Sequence, residues 1–398
     1  MNDLLKKYLK GDTVIWIVFM LLCLISAVEM YSASSSLAYR GSSHTAPILS
    51  HITFLGMGAI VVFLVHLVPY KYFRMFNYLL MITAFVTLII TLFQGISAGG
   101  AKRWLDMGFF QFQPSELAKI SVIIFIADIL ARKQQKDGNA DEAFKPIVIV
   151  LAVFCGLIFT ENFSTAFLIF AIAVLMMIIG RISFKKIGQL LGVVAVIGCL
   201  AFVVGRTIPA EYLGPFHRLP TQVGRVVSFG DKENKYVLND KTRQVVNAQI
   251  AIANGGFLPK MPGTSAQRDY LPEAYSDFIY AITIEEMGLL GGIFIIALYL
   301  ILLYRAGMVT FKSTQTFPAL LVIGLTLTIV VQAFISMAVA TSLGPVTGQP
   351  LPLISRGGTS ILVTCIYFGM ILSVTRSLQE ENKTESVEIE AEEVNEEQ

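Results

Sequence analysis

Apolar runs of about 20 residues recur along the whole length of this chain, with short polar segments between them. A helix rises about 1.5 Å per residue, so each run is long enough to cross about 30 Å of hydrocarbon. Inside lipid, backbone N–H and C=O groups must be satisfied within the segment, which leaves the helix as the form for such runs. Composition agrees: 55% of residues are hydrophobic, 15% are charged, and the mean hydropathy is +0.68. A soluble domain carries about 25% charged residues. The pattern predicts an all-α integral membrane protein of ten transmembrane helices, at about 13–33, 49–68, 76–95, 115–131, 146–162, 164–180, 187–206, 277–304, 316–340 and 358–377. No separate soluble domain is expected. The first span is too long and too weakly bounded for a cleavable signal peptide and is expected to stay as an anchor.

Lys and Arg set the orientation. With the N-terminus inside, the inner segments carry sixteen basic residues, among them Lys10, Arg74, Arg132, Arg305 and Arg376. The short outer segments carry four: Arg40, Lys102, Arg103 and Arg356. Both termini are therefore expected in the cytoplasm. The four cysteines, Cys23, Cys155, Cys199 and Cys365, all fall within expected spans, so no disulfide framework is indicated. The four histidines show no metal-ligand spacing. No Walker loop, dinucleotide fingerprint, nucleophile elbow or metal-cysteine motif occurs, which argues against an ATP-driven pump. No nucleic-acid partner is expected.

The long outer loop 206–276, between the seventh and eighth helices, holds most of the polar sequence on that side. Loops of this length usually carry function. Two further outer segments are irregular: 95–114, and the proline-rich stretch 344–358, where Pro345, Pro350 and Pro352 cannot sit inside a regular helix. Non-helical backbone at membrane depth must line a cavity or be buried in protein. The three segments share one side, which points to a common outward-facing site. After residue 378 the chain ends in 379–398, with nine Glu and one Lys, expected as an acidic disordered cytoplasmic tail.

Asp277 is the first candidate for chemistry. With Glu273 it forms an i, i+4 pair on one helix face where the polar loop enters an apolar helix. Partial desolvation there would raise the pKa of Asp277 and suit a general base; a helix N-terminal acid favoured by the macrodipole is the structural alternative. Glu285 and Glu286 follow about 12 Å further down the helix and are expected to face the bundle interior. Glu116 and Lys119, three apart, can neutralise one another on one face. Lys102 and Arg103 beside Trp104 suit a phosphate or diphosphate, or an interfacial anchor, and Arg218, Arg225, Arg243 and Arg356 could add to an anionic site.

Four motifs then carry a resemblance over residues 13–378: Gly100-Ala101-Lys102-Arg103-Trp104 with Gln113-Pro114-Ser115-Glu116-Leu117-Ala118-Lys119; Gly255-Gly256 with Gly263-Thr264-Ser265; Tyr270-Leu271-Pro272-Glu273-Ala274 with Asp277-Phe278-Ile279 and Glu285-Glu286-Met287-Gly288; and Thr347-Gly348-Gln349-Pro350-Leu351-Pro352-Leu353-Ile354-Ser355 with Gly357-Gly358-Thr359-Ser360. The chain resembles the SEDS family (shape, elongation, division and sporulation) of FtsW, RodA and SpoVE. The resemblance implies a ten-helix SEDS membrane domain over 1–378 in the bacterial inner membrane. It implies a peptidoglycan glycosyltransferase that polymerises lipid II into glycan strands at the outer face. Asp277 matches the family's essential aspartate, the proposed general base. Glu273 and Lys119 match polar positions linked to activity, and Arg103 and Arg218 match basic positions near the site. Lys102, Ser265 and Ser355 complete the expected substrate-binding set.

The family works with a class B penicillin-binding protein that supplies transpeptidation, and with other division proteins. The overall pattern and the Ser355-Arg356-Gly357-Gly358-Thr359-Ser360 ending lean to the division type (FtsW) over the elongation type (RodA). A divalent cation, magnesium or manganese, is compatible with the chemistry, with Asp277 as its conceivable ligand. The sequence departs from the family at Asn162, where aspartate is common, at Pro259 and Met261, where glycines are usual, and at Arg356, where tyrosine is frequent. The rival readings are a flippase for lipid-linked precursors and a non-catalytic scaffold. A transporter should show internal repeats, and no convincing repeat is present.

Overall fold

The structure, a computed structural model, describes residues 10–33, 46–98, 101–106, 108, 111–135, 138–230, 242–271 and 275–396. The apolar runs fold as helices: α1 (Thr13–Ala33), α2 (Ala46–Leu67) and α3 (Tyr70–Gln94), then α4 (Pro114–Lys133), α5 (Phe144–Phe159), α6 (Phe163–Ile179) and α7 (Phe184–Thr207). After α8 (Leu219–Gly230) and α9 (Arg243–Gly255) come α10 (Ile279–Lys312), α11 (Thr316–Ala340) and α12 (Thr359–Glu396). Among the described residues, eight helices are long and apolar enough to cross a membrane. The chain is a multi-pass membrane protein. α6 is apolar but shorter, with 17 residues. α4 carries Glu116, Lys119 and Asp128 and is nonetheless mostly buried, because it runs through the middle of the bundle against α3, α6 and α11. α7 lies at the periphery, with few buried residues, and packs chiefly on α8.

Two features differ from the sequence expectation. The fold is not purely helical: β1 (Ile96–Ala98), β2 (Ala101–Asp106) and β3 (Gln111–Phe112) form a small antiparallel sheet between α3 and α4. Ser97 faces Lys102 and Asp106 faces Gln111. Gly95 and Pro114 stop the flanking helices, and the short polar stretch between them pairs with itself. The long loop contains α8 and α9, whose apolar positions recur at helical spacing; the hydrophilic stretch 231–240 lies outside the described residues. The helix α12 runs to Glu396; 379–396 contains no Gly or Pro and is dominated by good helix formers.

Two polar clasps fix the depth of the bundle. Asp12 caps α1 by accepting from the Val14 N–H at 2.9 Å and pairs with the Arg305 guanidinium, Nε at 3.0 Å, on α10. At the other end of the same two helices, Ser32 Oγ donates to Glu286. Asp12 to Ser32 is 20 residues and Glu286 to Arg305 is 19, each close to 30 Å at about 1.5 Å per residue. That is one hydrocarbon thickness. Glu285 and Glu286 therefore lie at the loop-face end of this 30 Å-scale ladder, and both are buried in the bundle interior as expected. The sheet, α8, α9 and segment 344–358 lie on that loop face; Asp12, Arg305 and Gln379 mark the opposite, termini face. Both acids are buried because the loop wraps them. Glu286 accepts from the N–H groups of Gly263 and Ser265 at 3.0 and 3.2 Å, and Glu285 accepts from Ser265 Oγ and from the Gln267 N–H at 3.2 Å.

Candidate active site

Asp277 sits in the turn that leads into α10, two residues before the helix begins. The positive end of the helix dipole favours a carboxylate there. Ser276 Oγ donates to Asp277 Oδ1 at 3.2 Å. The residue is half-buried, and burial raises its pKa above the ordinary carboxylate value; the Ser276 hydrogen bond and the charges of Arg225 and Arg103 pull the other way.

Segment 344–358 passes directly beside it. A Cβ on Gly348 would lie 3.7 Å from Asp277 Oδ2, and Gly348 has φ 68°, a conformation glycine adopts without strain. The segment has no helix of its own, so neighbours satisfy its backbone. Gln332 Nε2 donates to the Pro350 carbonyl at 3.0 Å, Tyr299 Oη to that of Pro352 at 2.6 Å, and Ser26 Oγ to that of Leu353 at 2.7 Å. Ser355 Oγ donates to the Ser276 carbonyl at 2.7 Å, and the Arg356 N–H to that of Tyr275 at 2.9 Å. These last two bonds tie the segment to the two residues that immediately precede Asp277.

Three guanidiniums converge on the same place from different elements: Arg103 from β2, Arg218 from the entry to α8, and Arg225 from within α8. Arg103 Nε donates to the Glu161 carbonyl at 3.1 Å, and Arg225 Nη1 to that of Val346 at 3.3 Å. Burial, then Arg218 and Arg225, bring the pKa of Arg103 down to about 10, while Glu161 and Asp277 oppose the shift. Arg218 is lowered by burial and then by Arg225. It is 6% exposed, and its Nη1 is buried without a hydrogen-bond partner among the described residues. Unpaired buried positive charge held against like charge is costly unless an anion completes it.

Two cavities meet here. One, of about 630 Å³, has mixed polar and apolar walls that include His51, Gln113, Glu116, Ser276, Gln349 and Arg356. The other, of about 340 Å³, is mostly apolar, with walls from Phe163, Phe167, Ile335 and Val339 and the three arginines at its polar end. Arg103 and Asn162 belong to both. Asp277 stands behind Ser276 and Gly348 at this junction. A groove of about 600 Å³ along α8 continues past Arg225, Pro345 and Val346.

The structure thus gathers Asp277, Arg103 and Arg218 and disperses the other residues singled out above. Lys102 lies on the rim, its N–H donating to Glu161 Oε2 at 2.9 Å and its side chain exposed. Lys119 is 1% exposed and lies below the cavity floor; it pairs with Glu116 at 2.9 Å and donates to Gln332 Oε1 at 3.0 Å. Through Gln332 it supports the Pro350 carbonyl. Ser265 bonds Glu285 at the base of the loop, and Ser355 supports the turn before Asp277. Glu273 lies outside the described residues.

His51 was not singled out by sequence, because a lone histidine in an apolar run carries no pattern. Ser26 Oγ lies 2.8 Å from His51 Nε2. The single hydroxyl proton of Ser26 goes to the Leu353 carbonyl, so His51 Nε2 must carry the proton of their shared bond. The chain His51–Ser26–Leu353 holds Leu353 at φ 65°. Asn162 caps α6 by accepting from the Thr165 N–H at 3.2 Å. Asparagine and aspartate serve equally at that position, which absorbs the departure noted at Asn162.

A sequence profile for the FtsW, RodA and SpoVE proteins, described as a cell cycle protein family, matches residues 12–380. The chain belongs to this family. It is similar to a probable peptidoglycan glycosyltransferase FtsW of Bacillus subtilis (strain 168), at 30% identity over 96% of this chain and 94% of that protein. A protein of the same description from Saccharophagus degradans is 32% identical, over 90% and 92%. The stage V sporulation protein E of Bacillus subtilis is 28% identical, over 93% and 98%. Among solved structures, a chain of a peptidoglycan synthase complex that coordinates polymerization and crosslinking aligns with TM-score 0.71 and 20% identity, over 92% and 98%. RodA of Thermus thermophilus aligns with TM-score 0.64 and 19% identity, over 92% and 97%. Both likenesses show a shared fold.

Proposed function

We propose that this family member is a peptidoglycan glycosyltransferase that polymerises lipid II, with Asp277 as the general base. The observation that carries the reading is the half-buried carboxylate of Asp277 behind Ser276 and Gly348 of the polar cavity wall, within the electrostatic reach of Arg225 and Arg103. A lipid-linked diphosphate sugar needs what these cavities supply. The apolar cavity, with Arg103, Arg218 and Arg225 at its polar end, fits an isoprenoid chain ending in a diphosphate. The mixed polar cavity fits a carbohydrate headgroup. Asp277 takes the proton from the acceptor's sugar 4-hydroxyl. That oxygen bonds to the donor's anomeric carbon as the bond from this carbon to the diphosphate oxygen breaks. The leaving diphosphate carries its charge into the arginine cluster, where the low dielectric strengthens the attraction.

A divalent cation, magnesium or manganese, would have Asp277 as its ligand and would add positive charge on the leaving diphosphate, beside that already supplied by Arg225 and Arg103. A flippase needs a polar path between the two faces. On α4 the stretch between Lys119 and Asp128 is Ile120, Ser121, Val122, Ile123, Ile124, Phe125, Ile126 and Ala127, all buried, which closes that route and favours the polymerase.

The finer reading has ten spans, adding α4 and α6 to the eight. Both termini lie in the cytoplasm and the loop face lies outside, supported by the sixteen-to-four bias of basic residues. The membrane is the bacterial inner membrane, and the partners are a class B penicillin-binding protein and the division machinery, consistent with the FtsW descriptions of the most similar relatives. The direct test is polymerisation of lipid II by the purified protein with its penicillin-binding partner. Wild type should make glycan strands, and Asp277→Asn should lose at least about 100-fold, the usual contribution of a general base. Full activity in a well-folded Asp277→Asn protein would overturn the assignment.

A further inference from the structure

A break in α10 supports a surface that neither cavity uses. Gly288 has φ 67° inside the helix. A Cβ there would stand 2.6 Å from the Leu258 carbonyl oxygen and 2.7 Å from that of Phe257. The backbone of segment 256–261 fills the gap. The N–H groups of Lys260 and Met261 donate to the Glu286 carbonyl at 2.8 and 3.1 Å, and the Leu289 N–H to that of Gly256 at 2.9 Å. The backbone polarity freed by the break is thus met by the segment.

The side chains of the segment go the other way. Phe257, Leu258 and Met261 are 61%, 67% and 69% exposed. Met261 holds φ 119°, a region that strains any residue bearing a side chain. Glycine would relieve that strain and leave no apolar group in the open. Depth supplies the second observation. Glu286, to which the segment is pinned, marks the loop-face end of the 30 Å-scale ladder set by Asp12 and Arg305. Directly after it on α10, Leu289, Leu290, Ile293 and Phe294 are exposed, as a lipid-facing strip must be. Phe257, Leu258 and Met261 extend that strip at the level where acyl chains meet headgroups. Lys260 Nζ is turned back onto the Asn254 carbonyl, which keeps its charge away from the apolar tip.

We propose that segment Phe257–Met261 is an interfacial anchor whose apolar side chains insert into the loop-face leaflet of the phospholipid bilayer. The anchor fixes the height of α9 and of the loop that Glu285 and Glu286 staple to α10. It holds whether or not the chain polymerises lipid II.

The test is tryptophan fluorescence of full-length Phe257→Trp, and separately Leu258→Trp, in phosphatidylethanolamine–phosphatidylglycerol nanodiscs. Spectra are read as the difference from the unsubstituted protein, which carries Trp16 and Trp104. The anchor predicts blue-shifted emission, quenched more by lipids brominated near the headgroup than by lipids brominated near the chain end, and insensitive to aqueous iodide. Red-shifted emission quenched by iodide and untouched by bromolipids at both positions would overturn it. Blue-shifted emission that neither agent quenches would also overturn it, because protein rather than lipid would then cover the segment.

Discussion

Asp277 and its arginines set competing demands on one carboxylate. Burial holds the proton on Asp277, and Arg225 and Arg103 help to release it. A base acts only when deprotonated, so the acid limb of the pH–activity profile should lie above the range of an ordinary carboxylate. Arg225→Gln removes a charge that lowers the pKa, so the pKa should rise and the acid limb should move to higher pH, alongside weaker diphosphate binding. An acid limb that stays in place in this variant would separate Arg225 from Asp277. Arg218, with an unpartnered buried Nη1, should be sensitive even to Arg218→Lys. Lysine keeps the charge but loses the planar fork that grips two phosphate oxygens. We expect a rise in KM for lipid II of roughly tenfold, about 1.4 kcal/mol of a charge-assisted hydrogen bond; an unchanged KM would remove Arg218 from the diphosphate site. At this scale the sequence showed which residues carry charge on the apolar background, so Asp277, Arg103 and Arg218 were legible. It did not distinguish residues that touch a cavity from those that brace its walls. Lys119, Ser265 and Ser355 brace, and only the packing reveals it.

At the scale of elements, the apolar runs located the helices, because in lipid the backbone has few alternatives to helix; polar ends were missed, so α3 begins six residues before its expected span and α10 ends eight residues after it. The irregular parts were less legible. Segment 344–358 was expected to line a cavity, yet the hydrogen bonds that hold it, from Ser26, Tyr299 and Gln332 and from its own Ser355 to Ser276, join residues 18 to 327 positions apart in sequence. The α10 break was hidden as well. Gly288 looks like one more small residue in an apolar helix until the carbonyls of Phe257 and Leu258 are placed against it. Gly288→Ala combines a strained φ with a contact of 2.6 Å and should cost about 1–3 kcal/mol or displace segment 256–261. Thermal unfolding in detergent checks this; a variant as stable as wild type would mean that the break tolerates a side chain.

Across the whole molecule, the two clasps on α1 and α10 set the frame in which the site sits. Asp12 is buried and pairs with Arg305, which is about one-third exposed, so part of the attraction is lost to solvent. Arg305→Met should still lower stability by about 1–3 kcal/mol, because it strands a buried carboxylate; an unfolding temperature equal to wild type would show that the clasp contributes nothing. Two cavities that share Arg103 and flank Asp277 give the molecule one chamber with an arginine-lined apolar end for a lipid diphosphate and one polar chamber for a sugar. Glycan strand length from purified lipid II, with the penicillin-binding partner present, tests this arrangement for wild type and Asp277→Asn proteins of matched unfolding temperature. Wild type should make long strands and Asp277→Asn none above background; strands of equal yield from both would place the base elsewhere.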